Sequence, residues 1–387
     1  MYIHLYCEKH VKNKYAIFDF YKKEDLNIFL TLFSDDVSEI DERSLIYIEG
    51  FKTLSYEGPR EGMWYRFPID FFGNNFILRD SIIEESAIFR LFLSYSGEEL
   101  ELNKYKTIIP SLNFTNEVKV VSKPDPNFEL KPKENEEIKL EVFGVGHGNW
   151  NAIKSDSFNL FYDTGADMTW GINQLTSLAR RLSISQLNNL HIILSHWDVD
   201  HYHGILGMSS SDLNAIQSFI APSQVPNNLT AQRVLNKIRS VIRPILIKPT
   251  PKTSREIMLS SVYNNEFLEI FRASTGSYRN QTGIVVLVNG PDHTALLTGD
   301  HHYKKLEKYV LRTYSHNSYI MVIPHHGGYA GKWNSSLFTA YSIEGTMSCF
   351  DSNNRFNHPT TYNVNNLNHA SIPWKSTKGL TDLPYIL

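Results

Sequence analysis

The apolar positions change texture along the chain. Up to about residue 121 they come in short aromatic and β-branched runs: Tyr15–Tyr21, Leu45–Ile48, Trp64–Pro68, Phe76–Leu78 and Ala87–Tyr95. Runs of that length, separated by polar and turn-forming residues, predict strands. The last of them, AIFRLFLSY, mixes alternation with continuous apolar character, the pattern of a mostly buried strand. A polar stretch follows, SKPDPNFELKPKENEEI (122–138), whose three prolines and alternating charges predict a linker. Beyond it, strands alternate with helices. Strands are predicted at 140–146, 159–163, 190–195, 283–289, 294–299 and 319–324, and helices at 169–183 and 303–314. The pattern predicts a strand-rich N-terminal domain over 1–121, a linker over 122–138, and an α/β domain over 139–387. No period of 20–50 residues repeats, which excludes a solenoid.

Composition narrows the class without choosing a function. The chain has 387 residues, 42% hydrophobic and 20% charged, enough for a sizeable core. No apolar run reaches the roughly 18–20 residues that a membrane-spanning helix needs. The opening residues, MYIHLYCEKHVKNK, hold no secretory core, so a cytoplasmic protein with no membrane partner is expected. Two cysteines, Cys7 and Cys349, are too few for a disulfide framework and read as inert thiols. The net charge of −3 is unevenly spread, at −8 over residues 1–137 and +5 over 138–387. The positive excess suits an anionic substrate such as a nucleic acid or nucleotide.

Candidate chemistry is concentrated in one segment. Ser195-His196-Trp197-Asp198-Val199-Asp200-His201-Tyr202-His203-Gly204 places three histidines and two aspartates in ten residues, directly after the apolar run Leu190–Leu194. Imidazoles and carboxylates presented by a turn at a strand end can converge on divalent cations. Two further segments repeat the device: LLTGD puts Asp300 just past one apolar strand, and VIPHHGG puts His325 and His326 just past the next. Taken singly, Asp300 could cap a helix and the histidine pair could be surface residues. Trp197 and Tyr202 are expected to be buried beside the loop. His203, His293, His301 and His302 fall near these motifs but off the ligand positions.

The order and spacing of these segments resemble the metallo-β-lactamase superfamily, and most closely the hydrolase domain of late-competence DNA-uptake proteins. VFGVGHGNWNAI resembles that branch's Gly-rich opening strand and turn, and FYDTGAD its Asp-Thr-Gly motif. SHWDVDHYHG resembles the central metal motif, LLTGD the bridging aspartate, and VIPHHGG the following histidine. NNRFNHP (353–359) resembles its terminal Asn…His-Pro loop, and STKGL its closing turn. The match covers about 140–387 and leaves residues 1–137 outside. It implies an αββα sandwich and a two-metal site loaded with zinc or manganese. Asp200, His201, Asp300 and His326 would hold one ion, and His196 and Asp198 the other, with Asp300 bridging. Asp200, Asp300 and His358 would act in catalysis. Asp163 would orient the metal loop, with His325, Asn149 and Arg355 nearby for substrate contact or support.

The sequence also departs from the resemblance. Asp198 stands where the commoner central motif has histidine, a substitution shared with the competence branch. RNQTG (279–283) occupies the region where a further histidine is usual, leaving the first metal a ligand short or dependent on His358. The branch's Gly-Gln-Gly-Asp reads Gly146-His147-Gly148-Asn149 here. Three carboxylates among six ligands make the site harder than a histidine-rich zinc site, which brings manganese into consideration. The function expected is a metal-dependent phosphodiesterase or nuclease, with the N-terminal domain recruiting substrate or a protein partner. The alternatives are a small-molecule hydrolase, acting on a cyclic nucleotide or acyl compound, and a non-catalytic module with an incomplete site. Residues 213–255 bear on the choice, because they hold seven Lys/Arg and no Asp or Glu. Within them LTAQRVLNKIRSVIR predicts an amphipathic helix whose basic face could grip phosphates or be merely solvated.

Overall fold

The computed structural model describes residues 1–11, 14–32, 45–49, 58–78, 88–93, 105–109, 112, 117–125, 128–252, 255–276, 279–311, 318–332, 342–348 and 358–387. Two compact units emerge. The first comprises 1–113, 169–177 and 225–236, and the second 114–168, 178–224 and 237–387.

The first unit is built on a seven-stranded sheet. Its strands are β1 (Tyr2–Val11), β2 (Tyr15–Phe20), β3 (Leu45–Glu49), β4 (Trp64–Pro68), β5 (Phe76–Leu78), β6 (Ile88–Leu93) and β7 (Lys106–Thr107), in spatial order β5-β6-β3-β2-β1-β4-β7. Ile3, Leu5 and Cys7 alternate along β1 and bury against Phe18, Phe20, Phe29 and Phe72. The helix Leu229–Arg239 begins within this unit. Its first turn receives Asp19 of β2, which accepts from the Thr230 amide at 3.1 Å, and Leu229 joins the same core.

The second unit is α/β and holds two sheets. One runs, in spatial order, β22 (Leu383–Ile386), β9 (Lys139–Val142), β10 (Asn151–Lys154), β11 (Asn159–Tyr162), β12 (Leu190–Ile193), β13 (Ile216–Pro222), β14 (Ile245–Ile247) and β8 (Lys119–Val121). The other runs β15 (Leu259–Asn264), β16 (Leu268–Ala273), β17 (Ile284–Asn289), β18 (Thr294–Leu297), β19 (Ser318–Val322), β20 (Ser342–Met347) and β21 (Trp374–Ser376). Alternate residues of both sheets, among them Leu160, Tyr162 and Ile193 from one and Ile270, Val286 and Leu297 from the other, share a single core. The sheets therefore pack face to face. Leu296, Met321 and Val285 point the other way, against Tyr303, Leu306, Val310 and Leu367 of the helices that cover the outer face.

Residues 119–138 differ from the sequence expectation. β8, placed by sequence in the first domain, pairs in parallel with β14 in the second unit's sheet. Leu130 and Ile138 of the expected linker are buried in its core. Apolar residues spaced through a charged run escape a pattern that weighs its prolines and charges. Among the described residues, no helix is long and apolar enough to cross a membrane.

Candidate metal centre

Strand direction explains why the distant motifs meet. β11 and β12 are parallel neighbours in one sheet, and β18, β19 and β20 are parallel neighbours in the other. Parallel neighbours end on the same side, so the loops that follow them lie together, and such edges collect ligands. Asp163 follows β11, His196–His201 follow β12, Asp300 follows β18, and His325 and His326 follow β19. Hydrogen bonds between the sheets fix their relative height: Tyr162 Oη donates to the Ile284 carbonyl at 2.7 Å, and the Ile284 amide to the Ser195 carbonyl at 2.8 Å.

Side chains from these loops converge. His201 Nε2 lies 3.4 Å from Asp300 Oδ1 and 3.3 Å from His326 Nε2, and His326 Nε2 lies 3.6 Å from Asp200 Oδ2. His196 Nε2 lies 3.5 Å from Asp198 Oδ2 and 3.7 Å from Asp300 Oδ2. Two ligand triads result, His196–His201–Asp300 and Asp200–His201–His326, each with its donor atoms within 4.8 Å of one another. Atoms bound about 2.1 Å from one cation sit roughly 3.0–3.5 Å apart, close to these separations. Nε2 of His196 is buried and makes no hydrogen bond among the described residues, although a buried polar atom left so costs stability. These residues fit a divalent ion.

Asp163 organises the centre from beneath. Fully buried at a φ of 61°, it accepts from the Ser195 amide at 2.6 Å, Ser195 Oγ at 2.8 Å, Asn149 Nδ2 at 2.7 Å and His201 Nδ1 at 2.8 Å. The last bond places the His201 proton on Nδ1 and leaves Nε2 as a lone-pair donor facing Asp300 and His326. Burial works against a charged His201, but Asp300 and Asp163 outweigh it and raise its pKa well above the usual value, and the second proton this puts on Nε2 is the one a cation would displace. Burial also disfavours an ionised Asp300, yet His325, His201 and His196 hold its carboxyl well below the ordinary range. Both shifts favour charge at the centre. Asn149 is held by its own bonds: its amide donates to the Asp200 carbonyl at 2.9 Å, and its Oδ1 accepts from Asn151 at 2.9 Å. Asn149 thus joins the Gly-rich turn to the loop that follows β12.

The two histidines after β19 adopt left-handed backbone, with φ of 56° at His325 and 53° at His326. A side-chain-bearing residue pays about 1–2 kcal/mol for that conformation, and here the geometry turns both rings towards Asp300 and Asp200. His325 Nε2 lies 3.6 Å from Asp300 Oδ2. His358 packs beside His147 and His325. Its ring stands 4.8 Å from that of His147 and 4.9 Å from that of His325, centre to centre. Arg355, Cys349 and most of NNRFNHP lie outside the described residues. Trp197 and Tyr202 are buried, with the indole donating to the Pro222 carbonyl at 2.7 Å.

The segment RNQTG turns out to be part of the centre, which sequence reasoning did not assign. Arg279 Nε pairs with Asp198 Oδ1, and Asn280 Nδ2 donates to Asp300 Oδ2 at 3.1 Å. Burial opposes an ionised Asp198, but Arg279, His196 and His201 together hold its carboxyl well below the usual range. A guanidinium therefore occupies the Asp198 carboxylate. Arg272, fully buried, braces this turn through the carbonyls of Thr282 and Gly283 and reaches the Ile247 carbonyl at 3.1 Å. The absence of a histidine in 279–283 was the available signal. No local pattern marks which polar residue fills its place.

No family model matches the chain, and no curated protein matches it. Several solved structures are similar at low identity. The metallo-β-lactamase fold protein YhfI from Bacillus subtilis is 14% identical with a TM-score of 0.37, over 65% of this chain and 100% of that one. Zn(2+)-bound PqqB from Methylobacterium extorquens is 10% identical with a TM-score of 0.37, over 64% and 99%. A diphosphatase from the PhnP family is 11% identical with a TM-score of 0.35, over 64% and 97%.

Proposed function

We propose that this chain is a metal-dependent hydrolase of the metallo-β-lactamase type that cleaves phosphodiesters, with nucleic acid as the substrate class. The observation that carries the reading is the meeting of His196, His201, Asp300, Asp200 and His326 from separate strand ends, with His201 oriented by Asp163. A bound divalent ion would make water acidic enough to act as a nucleophile near neutral pH and would offset charge on the transition-state oxygens. The remaining work falls to the chain's own groups. Asp200 and Asp300 can orient that water and take its proton. Arg279, held on Asp198, puts a planar cation beside the centre, suited to a phosphoryl oxygen. His325 and His358 stand together at its rim, where a proton can be delivered to a leaving alkoxide. The net charge of +5 over residues 138–387 favours an anionic substrate over a neutral acyl compound.

The test is hydrolysis of bis-p-nitrophenyl phosphate, single-stranded DNA, RNA and a β-lactam in manganese or zinc. Cleavage of the phosphodiesters, lost in Asp200→Ala and His201→Ala, is the expected result. Cleavage of the β-lactam alone would reject the substrate class, and turnover of all four surviving both substitutions would reject the site.

A further inference from the structure

The acid-free run 213–255 is divided by the fold. Lys237 Nζ is taken up by the carbonyls of Leu206 at 2.6 Å and Met208 at 3.0 Å, and Arg239 pairs with Glu117. Lys252 and Arg255 are exposed at the other end of the run. They line a cleft of about 320 Å³ together with Lys304, Lys305 and Lys308, from the helix Tyr303–Leu306 and the π-helical turn Glu307–Leu311 that continues it. Among the residues lining the cleft, Glu256 is the one carboxylate, 2.9 Å from Lys308 and 3.9 Å from Lys304. Five cations against one anion leave a strong positive excess in a small volume. That excess is more than a single phosphate would neutralise, and it is spread over two walls from segments far apart in sequence.

The cleft abuts the candidate centre. Gln281 and His302 also line it and are joined at 2.9 Å through Gln281 Nε2 and His302 Nε2. Gln281 follows Asn280, which donates to Asp300, and His302 lies two residues beyond Asp300. Lys305 extends to the Gln281 side-chain oxygen, and burial lowers its pKa to about 8. An ammonium drawn partly out of water beside a neutral amide gains from an incoming anion.

We propose that this cleft binds the sugar-phosphate backbone of a polynucleotide strand beyond the phosphodiester held at the metal-type centre. The inference deepens the phosphodiesterase reading and rests on it. The cleft contributes phosphate contacts, which supply affinity and register without base preference. A small ester has no backbone to place there and is indifferent to it.

The experiment compares the full chain with Lys252→Ala/Arg255→Ala/Lys308→Ala, and with Lys252→Ala alone as the variant least able to disturb folding. Binding of a fluorescein-labelled single-stranded oligonucleotide in EDTA is followed by anisotropy over a salt series, alongside turnover of bis-p-nitrophenyl phosphate in manganese. The triple variant is expected to bind about 10-fold or more weakly, with the slope of log Kd against log salt reduced by about 2, near 0.7 for each lost contact. The single variant is expected to lose about 0.7 of slope. Small-ester turnover should stay within about twofold, because a small ester has no backbone to place against Lys252, Arg255 or Lys308. Oligonucleotide affinity and salt slope unchanged in both variants would overturn the inference while leaving the hydrolase reading intact. Failure of the unmodified chain to hydrolyse any phosphodiester would reject that reading instead, whatever the cleft binds.

Discussion

A carboxylate has about four lone-pair positions, and Asp163 fills as many with the Ser195 amide and hydroxyl, Asn149 and His201. Asp163→Asn would turn an amide N–H towards one of those donors. Supporting residues of this kind change metal affinity by about 10–100-fold, so a manganese or zinc titration of Asp163→Asn should show a weakening of that size, with the circular dichroism spectrum retained. Unchanged affinity would remove Asp163 from the centre. Arg279 allows the opposite expectation, because its guanidinium holds the Asp198 carboxylate that a cation would otherwise take. Elemental analysis after gel filtration should find more metal per chain in Arg279→Ala than in the unmodified protein. Equal content would mean that Arg279 does not compete. The histidines and aspartates that meet at the candidate centre, His196, Asp200, His201, Asp300 and His326, were legible in the sequence as strand-end motifs. Arg279 was not, because its partner lies some eighty residues away and contact across that separation leaves no local trace.

Strands and helices were legible where periodicity is strong and obscured where elements are short. β11, β12, β17, β18 and β19 lie within a few residues of the expected runs, and the expected helix at 169–183 spans Ile172–Arg181. The helix expected at 303–314 is α-helical over Tyr303–Leu306 and then π-helical over Glu307–Leu311, with 312–314 outside the described residues. β14 and β21 are only three residues long, and pairing with neighbours defines them more than their own pattern does. Caps make testable links between elements. Thr360 accepts from the Asn363 amide at 3.2 Å and closes the helix Thr361–His369, two residues after His358. Thr360→Ala should cost about 1 kcal/mol in urea unfolding, and an unchanged midpoint would mean the cap is idle. In the first unit, burial raises the pKa of Asp19 from 3.8 to about 6, although its bonds to Thr230 oppose the shift. The folded state then holds the proton more tightly than the unfolded one. The linked stability is full below about pH 4 and is lost as the pH rises through 6. Asp19→Asn should therefore be more stable than the unmodified chain at pH 8, by about 3 kcal/mol at most, and no more stable at pH 3.5. A constant difference across that range would show that Asp19 is not the titrating group.

Across the molecule, ligand binding to the folded state alone adds stability. Manganese or zinc at about 100 times its Kd should contribute about 2.7 kcal/mol, so the thermal midpoint should rise on metal addition and fall back with a chelator. An Asp200→Ala/His201→Ala double variant should lose the response. A metal-dependent rise retained in that variant would locate the ion elsewhere. The order of side-chain types along the chain carried the α/β class of the second unit, the strands beneath the motifs and the residue types of the candidate centre, because periodicity and residue type are local properties. Three-dimensional pairing was needed to show that β8 and Leu130 belong to the second unit, that Arg279 pairs with Asp198, and that Lys252 and Arg255 line one cleft with Lys304, Lys305 and Lys308. Each of those facts depends on residues far apart in sequence being brought side by side, and the free energy that does this comes from burying both faces of a sheet at once.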